Sequence, residues 1–240
     1  MVRCMCGRAT LISPVEEIAE VFGVAPIPLG PPRYNVAPGQ DLAIVRSAAE
    51  GGRELALVHW GLVPWWSKNG KIARSCIQAR RETIAKAPAF RQAFESKRCL
   101  VVVDGFYEWS GIGKARQPHF LRLAGGGPFA IAGVWDSWKA PDGTRIETCA
   151  VVTRAARGPA ADLHDRMPFI LDGDTRERWL SAAPGEAAAE LVKTDWIPEL
   201  VILPVSKHVN DVKNDDPHCI APHVPGSPPP SGRQTTLRFE

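Results

Sequence analysis

Runs rich in β-branched and aromatic residues recur at 42–46, 55–60, 99–109, 119–123, 129–138, 146–153 and 200–205, bounded by Gly, Pro or polar residues, which is the pattern of short strands. A shorter β-like run follows Cys6 and ends at Ile12. Helical periodicity is confined to 88–97, 175–182 and 185–192, and to a segment opened by Ser13-Pro14-Val15-Glu16 and closed by Gly23. That opening has a capping side chain, Pro in the first turn and an acid three residues on. The Pro-rich stretch 25–32 reads as an ordered crossing loop, and Gly125-Gly126-Gly127 as a hairpin loop. Strands dominate and do not alternate regularly with helices, so the expected fold class is α+β: a single domain with a mixed, largely antiparallel β core and peripheral helices. From Pro222 the chain turns to Pro, Gly and Ser, too little apolar surface to order itself, which predicts a mobile tail. The domain is therefore expected over 5–221, with 1–4 as an extra leader or misassigned start and 222–240 as the tail.

At 240 residues and 45% hydrophobic composition, the chain is long enough to bury one large core. No stretch approaches the ~18–20 apolar residues of a membrane span, and the start lacks a secretory pattern. A cytoplasmic, nucleoid-associated monomer with no membrane partner is expected. Six cysteines are present, but Cys76, Cys99 and Cys149 sit in or beside apolar runs and read as core thiols in a reducing compartment. A net charge of +3 and a pI near 8.6 permit a nucleic-acid partner without arguing for one. No phosphate-binding Gly-x4-Gly-Lys loop occurs, so no cofactor is expected.

Cys6 has the most distinctive chemistry. If the residues before it are absent or removed, its α-amine and thiol form a 1,2-aminothiol, which captures an aldehyde first as an imine and then as a five-membered thiazolidine. The amine has an ordinary pKa of about 7.7–8.0 and keeps a usable neutral fraction at pH 7. Initiation at Met5 and its removal would expose Cys6, whereas initiation at Met1 leaves the nitrogen locked in an amide. The alternative is a small buried thiol near a strand start. Independently, Lys68, Lys71, Arg74, Arg80 and Arg81 follow Trp65-Trp66 with no acid among them. A basic track beside stacking platforms is how single strands are held; the other reading is a solvated loop with its tryptophans in the core.

Polar clusters punctuate the apolar runs: Met5-Cys6-Gly7-Arg8, Gln78-Ala79-Arg80, Asp104-Gly105-Phe106-Tyr107-Glu108-Trp109, His164-Asp165-Arg166-Met167-Pro168 and Pro204-Val205-Ser206-Lys207-His208-Val209-Asn210. With Trp60-Gly61-Leu62-Val63-Pro64-Trp65-Trp66, their order and spacing resemble the SRAP family, the SOS-response-associated peptidases or abasic-site-processing proteins. The resemblance runs from Met5 to about Ile220. It implies an SRAP-like domain that senses abasic sites in single-stranded DNA and forms a covalent thiazolidine crosslink through Cys6, with lyase-like chemistry and possible self-cleavage of a leader. It further implies Glu108 and His164 as proton-transfer groups, roles suited to imidazole and to a desolvated carboxyl. Arg8 and Arg80 become backbone contacts, a task for which the planar guanidinium is fitted. Gln78 stands where the family typically has Asn. The motifs and the basic track together extend the expected DNA surface to Asn35, Pro38, Trp65, Trp66, Lys68, Arg81, Ser206 and Asn210.

Three other readings are kept. An N-terminal-nucleophile cysteine peptidase or amidohydrolase would use Cys6 on an amide, and a non-covalent single-stranded-DNA-binding protein would leave Cys6 unused. A metal module of Cys4, Cys6, His218, Cys219 and His223 has poor spacing for zinc, so no metal is expected. In the tail, Gln234, Leu237 and Phe239 resemble the Gln-x-x-Leu-x-Phe peptides that dock on the bacterial sliding clamp, a further expected partner.

Overall fold

The computed structural model describes residues 7–111, 113, 116–194 and 196–223, the side chains of 186 and 187 excepted. In chain order its elements are β1 (Ala9–Leu11), α1 (Val15–Phe22), β2 (Arg33–Val36), β3 (Asp41–Ser47), β4 (Arg53–Trp60), β5 (Gln78–Arg80), α2 (Arg91–Ser96), β6 (Arg98–Val103) and β7 (Gly105–Ser110). They continue with β8 (Gln117–Leu123), β9 (Phe129–Lys139), β10 (Arg145–Ala155), β11 (Arg166–Pro168), β12 (Ile170–Leu171), α3 (Gly173–Ser181), α4 (Glu186–Leu191) and β13 (Leu200–Pro204). Strands β3, β4, β6, β9 and β10 close on themselves as a barrel, because β10 pairs with both β9 and β4. A second sheet runs in the order β13-β8-β7-β1-β2. Every pairing is antiparallel except those of β10 with β4 and β5, which is the mixed, largely antiparallel core expected from the sequence.

Period-two alternation distributes the apolar side chains to two faces. One face carries Val45, Leu100, Val102, Ala132 and Val152 and is covered by Ile18 and Phe22 of α1, Phe94 of α2 and Trp179 of α3. The other carries Ile44, Val101, Ile131 and Val151 and meets Ala9, Phe106 and Leu121 of the second sheet. Burial on both sides explains why β6 is an uninterrupted apolar run after Arg98, all of it buried. Close packing also fixes Gly133 in mid-β9, since a Cβ there would stand 2.7 Å from Val101 Cγ2 and 2.9 Å from Cys99 Sγ. Arg98, the one charge in β6, donates to the carbonyls of Phe94 and Glu95 in α2 and of Trp179 and Ala182 at the end of α3. Carbonyls that two helix ends would otherwise leave unpaired are thereby satisfied by one buried guanidinium.

Several expectations are corrected. The run 99–109 is not one strand: Asp104 breaks it, sending β6 into the barrel and β7 into the second sheet. Asp104 accepts hydrogen bonds from the backbone N–H groups of Ile12 and Ser13 and from the Ser13 hydroxyl. Ser13 is thus spent on a tertiary contact and does not cap α1, which starts at Pro14 without a side-chain cap and ends at left-handed Gly23 as expected. The triple glycine is not a hairpin loop, because β8 and β9 belong to different sheets and residues 124–128 carry the chain between them. Pro222 lies on the folded body, bridged to Val205, and the His223 N–H donates to the Pro204 carbonyl. No helix among the described residues is long and apolar enough to cross a membrane.

Candidate functional site

The N-terminal strand lies along β7. Ala9 stands opposite Phe106, Thr10 opposite Gly105, and the Tyr107 N–H donates to the Arg8 carbonyl at 3.1 Å. Antiparallel register therefore carries the chain, read backwards through Gly7, toward the Glu108 and Trp109 end of β7. Gly7 and Arg8 line an open cavity of about 560 Å³ with Ala37, Pro38, Trp109, Arg116 and Asn210 among its walls. Cys6 lies outside the described residues, as do Gln234, Leu237 and Phe239 of the tail motif.

Arg8 is held on three sides. Its Nη1 donates to Asn35 Oδ1 at 2.7 Å and to the Val209 carbonyl at 2.6 Å, and its Nη2 to the Asn210 carbonyl at 3.4 Å. Among the described residues these bonds use three of its five guanidinium N–H groups. The guanidinium also lies 5.9 Å from the Trp109 ring centroid, with Arg116 at 5.8 Å. Asn35 corrects an expectation: it is fully buried, and its Nδ2 is used by the carbonyls of Val209, Asp211 and Asn214. It is an internal post that fastens the segment 206–220 to β2, not a surface contact. Asp215 completes the fastening by accepting from the Tyr34 and Asn35 N–H groups and from Arg33. Asn210, exposed at the cavity edge, accepts from Trp109 Nε1 at 2.8 Å, and the Ser206 hydroxyl caps the turn by accepting from the His208 N–H.

Glu108 is buried, 4% exposed, and strand alternation turns it to the Phe106 face of β7, against the barrel and away from Trp109. Gln78 and His164 are brought toward one another by β10, along whose two edges β5 and β11 run: Val151 pairs with Gln78, Thr153 with Arg80 and Ala155 with Arg166. Arg166 links these two edges by a bidentate bond to Glu82, at 2.8 and 2.9 Å, and by a bond to the Thr153 carbonyl. The turn at 158–162 that precedes His164 packs on β13, the strand beyond β8 from β7, so His164 belongs to the Glu108 side of the molecule. The His164 side chain is 7% exposed, and the Arg166 N–H points at Nδ1 from 3.1 Å. An Asp165 carboxylate oxygen stands 2.6 Å from the same nitrogen. Gln78 Nε2 is buried without a hydrogen-bond partner, a costly donor to leave unsatisfied and so one suited to a ligand acceptor.

Trp65 and Trp66 are 55% and 47% exposed, Lys68 is exposed two residues on, and Arg80 is exposed at the end of β5. Large aromatic faces open to solvent next to cations match the stacking track rather than the core alternative. Arg81 departs from that track: its Nη1 donates to the Thr194 carbonyl at 2.8 Å and its guanidinium lies 5.5 Å from the Phe169 ring, inside the fold. Arg81 lies just past the end of β5, where the chain turns and its N–H donates to the Thr153 carbonyl. Trp109 and Arg116 were missed by the sequence reading. Trp109 sits within a quoted motif and was legible as a polar-tipped aromatic, whereas Arg116 comes from a loop with no local signal.

His208, Asp216 and Cys219 place donor atoms within 4.8 Å of one another. They are engaged among themselves: His208 Nε2 meets Asp216 Oδ2 at 2.9 Å, while Asn214 Nδ2 faces both His208 Nδ1 and the His208 carbonyl. That arrangement sets an Nε2–H tautomer and serves the fastening of 206–220. Burial pushes the Cys219 thiol up to about 11, so it is a neutral packing group.

A barrel with a second sheet across it, an N-terminal strand leading into a basic, aromatic cavity, and a buried carboxyl on the other face of β7 define a class of single-domain protein. The SOS response associated peptidase (SRAP) family model matches residues 5–212, and the chain belongs to that family. Similar proteins include the abasic site processing protein YoqW of Bacillus subtilis, 35% identical over 225 residues covering 91% of this chain and all of that one. The abasic site processing protein YedK of Escherichia coli is 32% identical over 91% of this chain and all of its own. The chicken abasic site processing protein HMCES is 31% identical over 82% of this chain and 68% of its own. Among solved structures, a Bacteroides thetaiotaomicron protein superposes with a TM-score of 0.82 at 22% identity, over 91% of this chain and all of that one, which shows the shared fold.

Proposed function

We propose that this chain processes abasic sites in single-stranded DNA by bonding its Cys6, once N-terminal, to the sugar aldehyde. The observation that carries the reading is the register of β1 on β7, which leads the N-terminal strand past Glu108 into the cavity of Arg8, Trp109 and Arg116. The names of the relatives, abasic site processing proteins, support it. In the reaction, the ring-opened deoxyribose presents C1′ as an aldehyde. The neutral Cys6 amine adds to C1′, one water leaves to give the imine, and the thiol sulfur then adds to the same carbon while its proton passes to the nitrogen. Glu108 supplies and recovers protons at the sugar oxygens, and the His164 imidazole assists the loss of water. The orphan Gln78 amide donates to a sugar or phosphate oxygen. The exposed Trp65, Trp66, Lys68 and Arg80 hold the flanking strand, and the tail motif Gln234, Leu237 and Phe239 tethers the domain to the sliding clamp.

The test is protein beginning at Cys6 mixed with an oligonucleotide carrying one abasic site and run on a denaturing gel. An adduct is expected, absent in Cys6→Ala and less stable in Cys6→Ser; equal adduct from Cys6→Ala would overturn the reading. Glu108→Gln and His164→Ala should slow formation by about 10²–10⁴-fold, and unchanged rates in both would remove them from the chemistry. For the tail, calorimetry of the 230–240 peptide with the host clamp should show binding that the Gln234→Ala, Leu237→Ala, Phe239→Ala triple change abolishes; no heat at tens of micromolar refutes the tether.

A further inference from the structure

The second sheet ends at β13, which is paired on one side only, by β8. The Val205 N–H donates to the Pro118 carbonyl and the Ala124 N–H to the Glu199 carbonyl. In this antiparallel ladder the odd-numbered residues of β13 therefore turn their backbone groups to β8, and the even-numbered ones turn theirs outward. The outward carbonyl of Pro204 is taken by the His223 N–H, whereas Leu200 and Ile202 leave two N–H and two C=O groups along the edge with no backbone partner among the described residues. The turn at 158–162 packs on β13 without a backbone bond to it. The row is apolar, Leu200-Val201-Ile202-Leu203, with Leu203 and the preceding Ile197 exposed. An apolar edge with open backbone groups is a template for one further strand. We propose that residues 234–239 of this chain, Gln234-Thr235-Thr236-Leu237-Arg238-Phe239, fold back and pair along the free edge of β13.

The chain itself leads there. Pro222 bridges Val205 in the antiparallel sense and His223 follows opposite Pro204, so the polypeptide leaves the folded body at one end of the open edge. Continuing that register sets Pro225 opposite Ile202, where the ladder needs an N–H that proline lacks, and Pro228, Pro229 and Pro230 follow. The segment next to the edge is thus barred from it. Beyond Pro230 there is no proline, and Thr235, Thr236 and Phe239 are residue types that favour strands. Leu237 and Phe239, two apart, share one face of a strand and cover the exposed Leu203. Ten residues, 224–233, connect His223 to Gln234 and reach up to about 33–36 Å when extended. The five residues of β13 run only about 17 Å, so the whole edge is within reach. At the roughly millimolar effective concentration of so short a tether, a pairing too weak to join separate molecules is populated. Charge agrees: Arg233 and Arg238 come with the tip, and exposed Asp162 and Glu199 stand on the packed turn and just before β13. Arg122, across from Val201, is turned to the Leu123 carbonyl.

Leu237 and Phe239 are also the side chains of the proposed clamp contact, so the tip serves one surface at a time and β13 masks it until a clamp competes. That consequence rests on the tail reading above, whereas the docking does not. The test is amide exchange followed by NMR in the full chain and in a chain ending at Gly232. The Leu200 and Ile202 amides should exchange about tenfold more slowly in the full chain, the factor for a tip docked about nine-tenths of the time. Val201 and Leu203, whose amides face β8, should be unchanged. Thr235→Pro with Thr236→Pro removes two adjacent donors, one of which faces β13 in either phase, and should abolish the protection. Equal exchange in the two chains, protection that survives both prolines, or equal acceleration at Val201 and Leu203 on truncation would each overturn the docking. Protection that grows with protein concentration would assign the edge to a second copy and overturn it as well. In calorimetry with the host clamp, the free 230–240 peptide should bind about tenfold more tightly than the full chain, and equal affinity refutes the masking. If the peptide does not bind the clamp, the clamp reading fails while the exchange experiment still decides the docking.

Discussion

The helix-covered face of the barrel and the seam that fastens residues 206–220 to β2 are built by opposite means. The barrel face is largely apolar: Val45, Leu100, Ala132 and Val152 are buried under Phe22, Phe94 and Trp179, and the polar atoms that enter it are paired, as where Trp179 Nε1 donates to the Cys99 and Gly133 carbonyls and Arg98 to carbonyls at the helix ends. The seam has only a small apolar cluster, Val209 and Cys219 with Tyr107 and Phe120, and is fastened mainly by a lattice of side-chain bonds to backbone, with Asn35 and Asp215 each serving several partners. The first design is strong and nonspecific in direction, since each large buried side chain contributes about 1.5–3 kcal/mol wherever it packs. The second is weaker in sum but directional, and it sets the positions of Arg8, Asn210 and Trp109 around the cavity. Rigidity for the site thus comes from hydrogen-bond geometry, and stability for the domain from the core.

Trp179→Ala tests the core arm and should have the largest effect, about 3–5 kcal/mol of unfolding free energy measured by urea titration. A loss below about 1 kcal/mol would mean that α3 contributes little to the domain. Asn35→Ala tests the seam. It removes an acceptor of Arg8 and the donor to three carbonyls, and should cost about 2–3 kcal/mol while lowering DNA affinity as well. Full DNA affinity in that variant would separate the seam from the site. A third contrast concerns acid. Burial alone would raise the Glu82 carboxyl, but the hydrogen bonds and charge of Arg166 outweigh it and hold its pKa below the ordinary value. A depressed carboxylate stabilises the fold above its unfolded pKa and loses that contribution as pH falls through the folded value. Unfolding midpoints of the unmodified chain and Glu82→Gln should therefore differ by about 0.5–1 kcal/mol at pH 7 and converge below about pH 4. A constant difference across that range would detach Glu82 from the effect. Smallest in stability is Arg80→Ala, within about 0.5 kcal/mol of the unmodified chain. It should nonetheless weaken single-strand binding and reduce the salt slope by about one ion; an unchanged slope would exclude a phosphate contact.

Legibility from the sequence followed the same division. Strands at 41–47, 53–60, 117–123, 129–139 and 145–155, and the helix closed by Gly23, were readable because their signals are local: alternation, β-branched content and terminal residues. β2, β5, β11 and β12 were not recognised as strands, being two to four residues long and strands only because β1, β10 and β9 offer them an edge. The break at Asp104 was hidden for a related reason, since β6 and β7 are one apolar run and only the different sheets they join distinguish them.

By itself the sequence determined the fold class, the family motifs and the residue types available for chemistry, because patterning and composition act through short-range physics. It placed Glu108 and His164 among the functional candidates and counted Asn35 and Arg81 as surface contacts on equal terms with Lys68 and Arg80. Tertiary structure decided which of these face the cavity. It turned Arg81 to Phe169 and Thr194, sank Asn35 beneath the seam and brought Arg116 to Trp109. These outcomes depend on contacts between residues up to 202 positions apart, such as Arg8 with Asn210. A side chain's direction is fixed by the strand beside it and by the partners that satisfy its polar atoms, and neither is written in its near sequence.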